Sequence, residues 1–163
     1  MSQLLAPVRY TVRLRPCNHG ESNMRLLTIG IFLMLPALDL DADEKLIIDR
    51  HFSSDTNETP WIEVPIPELD HQLPVKPLFE DPRNGASALK IKYQAGFTNT
   101  WHTHGTGHGM YVLDGILRTH KGDFGPGNFV WFPEGERMFH GATDDNDVVF
   151  IFLTNKHFDI HYE

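Results

Sequence analysis

The sequence predicts an all-β domain built as a sandwich or a barrel. Three observations carry that reading. Prolines at 60, 65, 67, 74, 77 and 82 interrupt any long helix between 60 and 82. After residue 45, no stretch keeps a 3.6-residue apolar period over twelve positions. Short runs with β-type composition appear instead, each bounded by turn residues: ALKIKYQA (88–95), GMYVLD (109–114), ILRTHK (116–121), FVWFP (129–133) and VVFIFL (148–153).

Taken in order, the chain opens with an extension, residues 1–42, followed by a single domain over 43–163. Residues 1–25 hold Arg9, Arg13, Arg15 and Arg25 against one acid, Glu21. LLTIGIFLMLPAL (26–38) follows with no charge. It is short of the ~20 apolar residues of a membrane span, so no stable membrane anchor is expected. Its length suits the apolar region of a secretory signal, with Met24-Arg25 as a short basic start and Ala42 as the small residue at a cleavage end. Export to the periplasm is the expectation if residues 24–42 act in this way, and a cytoplasmic location otherwise. An apolar helix or strand packed on the domain is the alternative for this segment.

In the body of the chain, Asp114-Gly115 separates two runs and reads as a tight hairpin. Gly122-Asp123 and Gly125-Pro126-Gly127 make the next turn. FVWF and VVFIFL are apolar at consecutive positions, so both faces of those strands are expected to be covered. An arm over 45–66 or a second subunit would provide the cover, which raises a homodimer as an expectation.

Composition narrows the function. The formal net charge is −8, and nucleic acids and anionic membranes need clustered Lys and Arg, so neither is an expected partner. Cys17 is the one cysteine, which rules out an internal disulfide and a cysteine-based zinc site. Any metal must be held by histidine and carboxylate.

Three histidines of ten crowd into WHTHGTGHG (101–109). On a strand, residues i and i+2 face the same way, so His102 and His104 present their imidazoles side by side. A divalent cation uses both lone pairs and relieves their mutual opposition to protonation. Gly105-Thr106-Gly107 lets the backbone bend and bring His108 to the same point. His140 is a fourth candidate, brought from a distant part of the chain. His120 alternates onto a strand and can line the interior; His19, His51, His71, His157 and His161 are given no role. By strand parity Met110, Val112 and Met138 share faces with these imidazoles, as apolar pocket wall or as plain barrel core. Glu134 and Glu136 are either orienting partners of an imidazole or solvated turn charges. Phe97, Trp101 and Trp131 suit outer-layer packing.

The frame around the histidines resembles the cupin superfamily. Residues 96–115, with Gly96, His102, His104, His108 and Gly115, are similar to the first cupin motif, G-x5-H-x-H-x3,4-E-x6-G, with His108 in place of the glutamate. Residues 127–140, with Gly127, Pro133, Gly135 and His140, resemble the second, G-x5-P-x-G-x2-H-x3-N. There the histidine comes two positions late and Asp144 stands in the place of the asparagine. The resemblance covers roughly 60–155 and implies a jelly-roll barrel, the double-stranded β-helix. PLFEDPRNGASALKIKYQAG ahead of the histidines is most similar to the cupin domain of zinc-dependent anti-sigma factors and to small dioxygenases of diketones and dihydroxyacetophenone. The resemblance implies a divalent metal on His102, His104 and His140, with His108 at the glutamate position. Fe(II) is the expected ion, with Zn, Mn or Ni as alternatives. The expected activity is dioxygenation of a small carbonyl compound. The alternative is a non-catalytic metal sensor or regulatory cupin.

Overall fold

The structure is a computed structural model, and it describes residues 53–163 together with the backbone of two short strands, Tyr10–Val12 (β1) and Leu27–Ile29 (β2). The chain divides into two compact units, 1–59 and 60–163. In the first, β1 and β2 pair antiparallel, Thr11 opposite Thr28. Apart from β2, the apolar segment 26–38 lies outside the described residues. So do the basic segment before it and the proposed cleavage end.

Unit 60–163 is a two-sheet β structure. Its strands are Ile62–Ile66 (β3), His71–Glu80 (β4), Ser87–Tyr93 (β5), Thr98–Thr103 (β6), His108–Asp114 (β7), Leu117–Thr119 (β8), Gly122–Phe124 (β9), Phe129–Phe132 (β10), Met138–Ala142 (β11), Val148–Thr154 (β12) and His161–Tyr162 (β13). One sheet runs β10-β7-β12-β5-β4-β3 and the other β13-β6-β11-β8-β9, with every pair antiparallel. Among the described residues, the one helical element is a 3-10 turn, Pro67–Leu69.

Each of the five expected runs contains a strand. The prolines exclude helix as expected, yet two of them lie within the ten-residue β4, a strand that the sequence reading leaves out. Pro74 faces Glu63 and Pro77 faces Leu89, and the pairing slips between Pro77 and Phe79. Such a bulge accommodates a residue without an N–H in an inner strand. Gly115 turns the β7–β8 hairpin with φ of 73°. A Cβ there would lie 2.0 Å from the Asp147 carbonyl oxygen, so the turn needs glycine for its angle and for its neighbour.

Strand alternation builds the interior. Val148, Phe150 and Phe152 of β12, Met110 and Val112 of β7, Ile91 and Tyr93 of β5 and Phe132 of β10 join Met138 and Ala142 of β11 and Leu117 of β8 in one buried apolar cluster. The outward faces differ from the expectation of full cover. Phe129 and Trp131 of β10 are 53% and 47% exposed. Residues 62–66 of the expected covering arm instead extend the same sheet at its opposite edge, as β3.

Candidate metal centre

His102 ends the buried face of β6, His104 follows on its heels, His108 opens β7 and His140 sits mid-way along β11. The two late positions in the second motif are accommodated by parity. Met138, opposite His102, and His140 are both buried, with Phe139 turned outward between them, and the pairing with β6 is irregular across this step. All four imidazoles are at most 2% exposed.

Three of them converge. One ring nitrogen each from His102, His104 and His140 lie within 4.8 Å of one another, a grouping that could hold a metal ion. His102 and His104 rings are 4.7 Å apart and those of His102 and His140 4.9 Å, each pair edge to face. The other nitrogen of each ring is tied off. Nδ1 of His102 donates to the Thr100 carbonyl, and Nδ1 of His104 to the Asp159 carbonyl. Nδ1 of His140 lies 3.1 Å from the Tyr93 hydroxyl. The carbonyl acceptors put the proton on Nδ1 of His102 and His104, so their Nε2 atoms present bare lone pairs to the common point, and His140 does the same when its Nδ1 donates to the Tyr93 oxygen.

His108 stands beside this group, its ring 4.6 Å from that of His104 and 5.8 Å from that of His140. It stacks on Phe132 and lies against Phe152, both centroids 5.0 Å away. Neither of its nitrogens has a hydrogen-bond partner, and the same holds for Nε2 of His102, His104 and His140. A buried polar atom left in this state costs about 1–3 kcal/mol, so a cluster of them fits an ion and fits poorly as inert core.

The site carries no charge of its own. Burial holds the His104 pKa down to about 4 and that of His108 to about 2, with neighbouring imidazoles adding to the effect. Burial also depresses His102 and, far more, His140. Neutral imidazole is the form that a metal binds, so no proton need leave at neutral pH. The acid stability of the metal-free protein follows. Unfolded histidines take up protons below about pH 6.5, whereas folded His104 does so only near pH 4 and His108 near pH 2. The histidine contribution is therefore constant above about pH 7 and falls as pH drops from 6.5 through 4, by about 1.4 kcal/mol per pH unit for each such histidine. Urea unfolding at several pH values checks this; a flat profile between pH 7 and 4.5 contradicts it.

Glycines in WHTHGTGHG serve close approach. Gly105, Gly107 and Gly109 are not among the residues with positive φ, so the expected backbone bend is not what requires them. A Cβ on Gly105 would lie 2.7 Å from the Asp159 carboxylate, one on Gly107 2.6 Å from the Trp131 ring and one on Gly109 2.5 Å from Phe129.

The C-terminal segment closes the site. Asp159 accepts from His104 through its carbonyl and from the Gly105 N–H through its carboxylate, which also meets His161. Phe158 lies 4.6 Å from the His104 ring, Tyr162 donates to Asn99, and Glu163 pairs with Arg137. Sequence reasoning missed Tyr93 and Asp159. Parity on β5 points Tyr93 inward, but nothing local to NKHFDIHYE marks Asp159 as a partner of His104.

A sequence profile of the ChrR cupin-like domain matches residues 49–159. The chain belongs to the ChrR-like cupin family. A curated relative, the (R)-mandelonitrile lyase of Granulicella tundricola, is 33% identical over 74 residues, 42% of this chain and 56% of that protein. This chain thus spans about half the length of that relative. Among solved structures, a Ralstonia eutropha protein with a cupin-like fold aligns with a TM-score of 0.56 at 22% identity, over 64% of this chain and 71% of that one. The complex of Rhodobacter sphaeroides SigE with the anti-sigma ChrR aligns at 0.51 and 16% identity, over 72% of this chain and 61% of that one. At such identities these structures establish the shared fold.

In this ChrR-like cupin Met110, Val112 and Met138 are fully buried members of the apolar cluster. Glu136 meets His120 and Lys121, and Glu134 meets Lys156, so neither orients an imidazole of the converging group. Trp101 takes Arg137 over its ring and Phe139 at its edge, and Phe97 stacks on His71 and tilts against Tyr93. Trp101 thus packs outside the core, whereas Phe97 packs against it. Replacing Phe158 with alanine removes the ring beside His104 and is expected to speed metal loss to a chelator by about tenfold with little change in fold. Stopped-flow release of bound Co(II) measures this, and an unchanged rate would contradict it.

Proposed function

We propose that residues 43–163 form a metal-dependent dioxygenase acting on a small carbonyl compound through its enolate. His102, His104 and His140 are the metal ligands in this reading, and His108 is a fourth. The observation that carries it is the set of Nε2 lone pairs, buried, unpartnered and turned to one point by Nδ1 contacts behind them. The donor set is all nitrogen and neutral, which suits Fe(II), the ion we favour, and also Zn, Mn or Ni. A bound ion supplies Lewis acidity toward enolate oxygens and, if it is iron, the means to use dioxygen.

The chain's own residues set the conditions. Histidine at the glutamate position removes a negative ligand, so the site keeps the full charge of a divalent ion and favours an anionic substrate. Met110, Val112 and Met138 serve as apolar wall, and with Phe132 and Phe152 they keep water from the reacting atoms. No side chain is needed as general base if the substrate enters as its enolate.

The full burial of the four imidazoles also supports a second reading, a closed metal site in a sensor or regulatory cupin. The test is elemental analysis of untagged protein purified without added metal, followed by oxygen uptake with a β-diketone and a hydroxylated acetophenone. Mandelonitrile cleavage is assayed in parallel, because the curated relative is named for it. Stoichiometric iron and oxygen uptake support the dioxygenase. Tightly held zinc with no turnover excludes it and leaves the sensor.

A further inference from the structure

The outward face of the six-stranded sheet has an apolar patch at one end. Tyr111 and Leu113 of β7, Phe129 and Trp131 of β10 and Leu153 of β12 are all exposed. Phe129 lies opposite Tyr111, while Trp131 and Leu153 flank Gly109 from its two sides. The two aromatic rings of β10 rest on Gly107 and Gly109, which makes the patch flat. It contains no charged side chain, in a molecule of formal net charge −8.

The patch ends at β10, an edge strand. Edges left open invite pairing, and proteins that avoid it blunt them with charge, proline or brevity. The other three edges of the two sheets are blunted. β3 carries Glu63 and Pro65, β9 is three residues long with Asp123 at its centre, and β13 has two residues. Phe129–Phe132 has neither charge nor proline. Residues 62–66 are committed to the far edge, and among the described residues no strand pairs with the outer side of β10.

We propose that β10 and the patch behind it dock against the same surface of a second copy of this chain. Two β10 strands related by a two-fold axis run antiparallel and join six strands from each copy into one sheet, with the patches side by side. The five side chains expose roughly 400 Å² at about 200 Å² per large side chain. Two copies bring about 800 Å², and the paired edge and rim supply the rest of the ~1,200 Å² at which specific interfaces begin. Neutrality of the patch lets two acidic chains meet there without juxtaposing like charges. His108 lies between Gly107 and Gly109, so the interface backs the strand that carries it.

Sedimentation equilibrium of the full chain tests the proposal. Wild type is expected at twice the chain mass, and F129E/W131E at the chain mass, with association weakened by about a hundredfold or more. Y111E/L113E, on the neighbouring strand, is expected to do the same. Far-UV circular dichroism establishes that each variant is folded. Hydrogen exchange of wild type gives a readout without mutation: amides of 129–132 are expected to become slower as protein concentration rises. A wild type that stays single, a folded variant that stays double, or β10 exchange independent of concentration would overturn the proposal.

Discussion

Replacing His140 with alanine is expected to reduce bound metal from about one ion per chain to about a tenth or less, and to abolish any metal-dependent turnover. The residue is buried in the interior, and its Nε2 is one of the three converging nitrogens. Of the three converging imidazoles only His102 and His104 remain in the variant, with His108 to one side, and the third corner of the grouping is lost. The fold is expected to survive in part, because the cavity left is smaller than that from a large core aromatic. Inductively coupled plasma analysis and a thermal melt with and without metal separate the effects. Wild type should gain stability with added metal, by the usual dependence on concentration over Kd, and the variant should gain none. His108→Ala is the comparison. Its ring stands to one side of the three, so weaker binding without complete loss is expected. A His140→Ala protein that binds metal as wild type does would remove the basis of the proposed function.

The second large effect is expected at Gly141. A Cβ there would lie 2.3 Å from the Phe97 carbonyl oxygen and 2.9 Å from the Thr98 Cα. Both are backbone atoms of the neighbouring segment and cannot turn aside as a side-chain tip could. Gly141→Ala must therefore push β11 from the start of β6, at a cost of roughly 3 kcal/mol, the upper end for overpacking. Its neighbour is His140, and β6 carries His102, so the same displacement separates two of the three nitrogens. We expect a lower urea midpoint together with weaker metal binding. Gly96→Ala is a contrast, since nothing lies within 4 Å of an added Cβ and only its φ of 79° resists. That cost is expected at about 1–2 kcal/mol with metal binding unchanged. Equal effects at the two glycines would contradict the steric account.

Much of the fold was legible because strand parity and turn chemistry are local. ALKIKYQA, GMYVLD and VVFIFL alternate or run apolar between turn signals, and each became a strand within a residue or two of the expected bounds. β4 was not legible. Its prolines argue against an inner strand, and the bulge that accommodates them depends on β5, not on β4 itself. β6 was read only through the parity of its histidines, and β11 was hidden by His140, a polar residue at an interior position. At the site, the approach of His102 to His104 follows from spacing, and His140, a candidate as a distant histidine, was tied to them by the family motif. The Tyr93 and Asp159 contacts join residues 47 and 55 positions apart, a distance over which sequence periodicity carries no signal. The glycines of WHTHGTGHG were expected where they stand, but the occupants that demand them come from β10 and the C-terminal segment.

The anchoring of the three imidazoles divides unevenly between main chain and side chain. His102 and His104 are held from behind by peptide oxygens, which every amino acid at positions 100 and 159 would supply. Their tautomers are thus insulated from most evolutionary drift. His140 leans on a phenol, which a single codon change can delete. Among relatives that keep the three histidines, variation in metal affinity should therefore track the residue at position 93 more closely than those at 100 or 159.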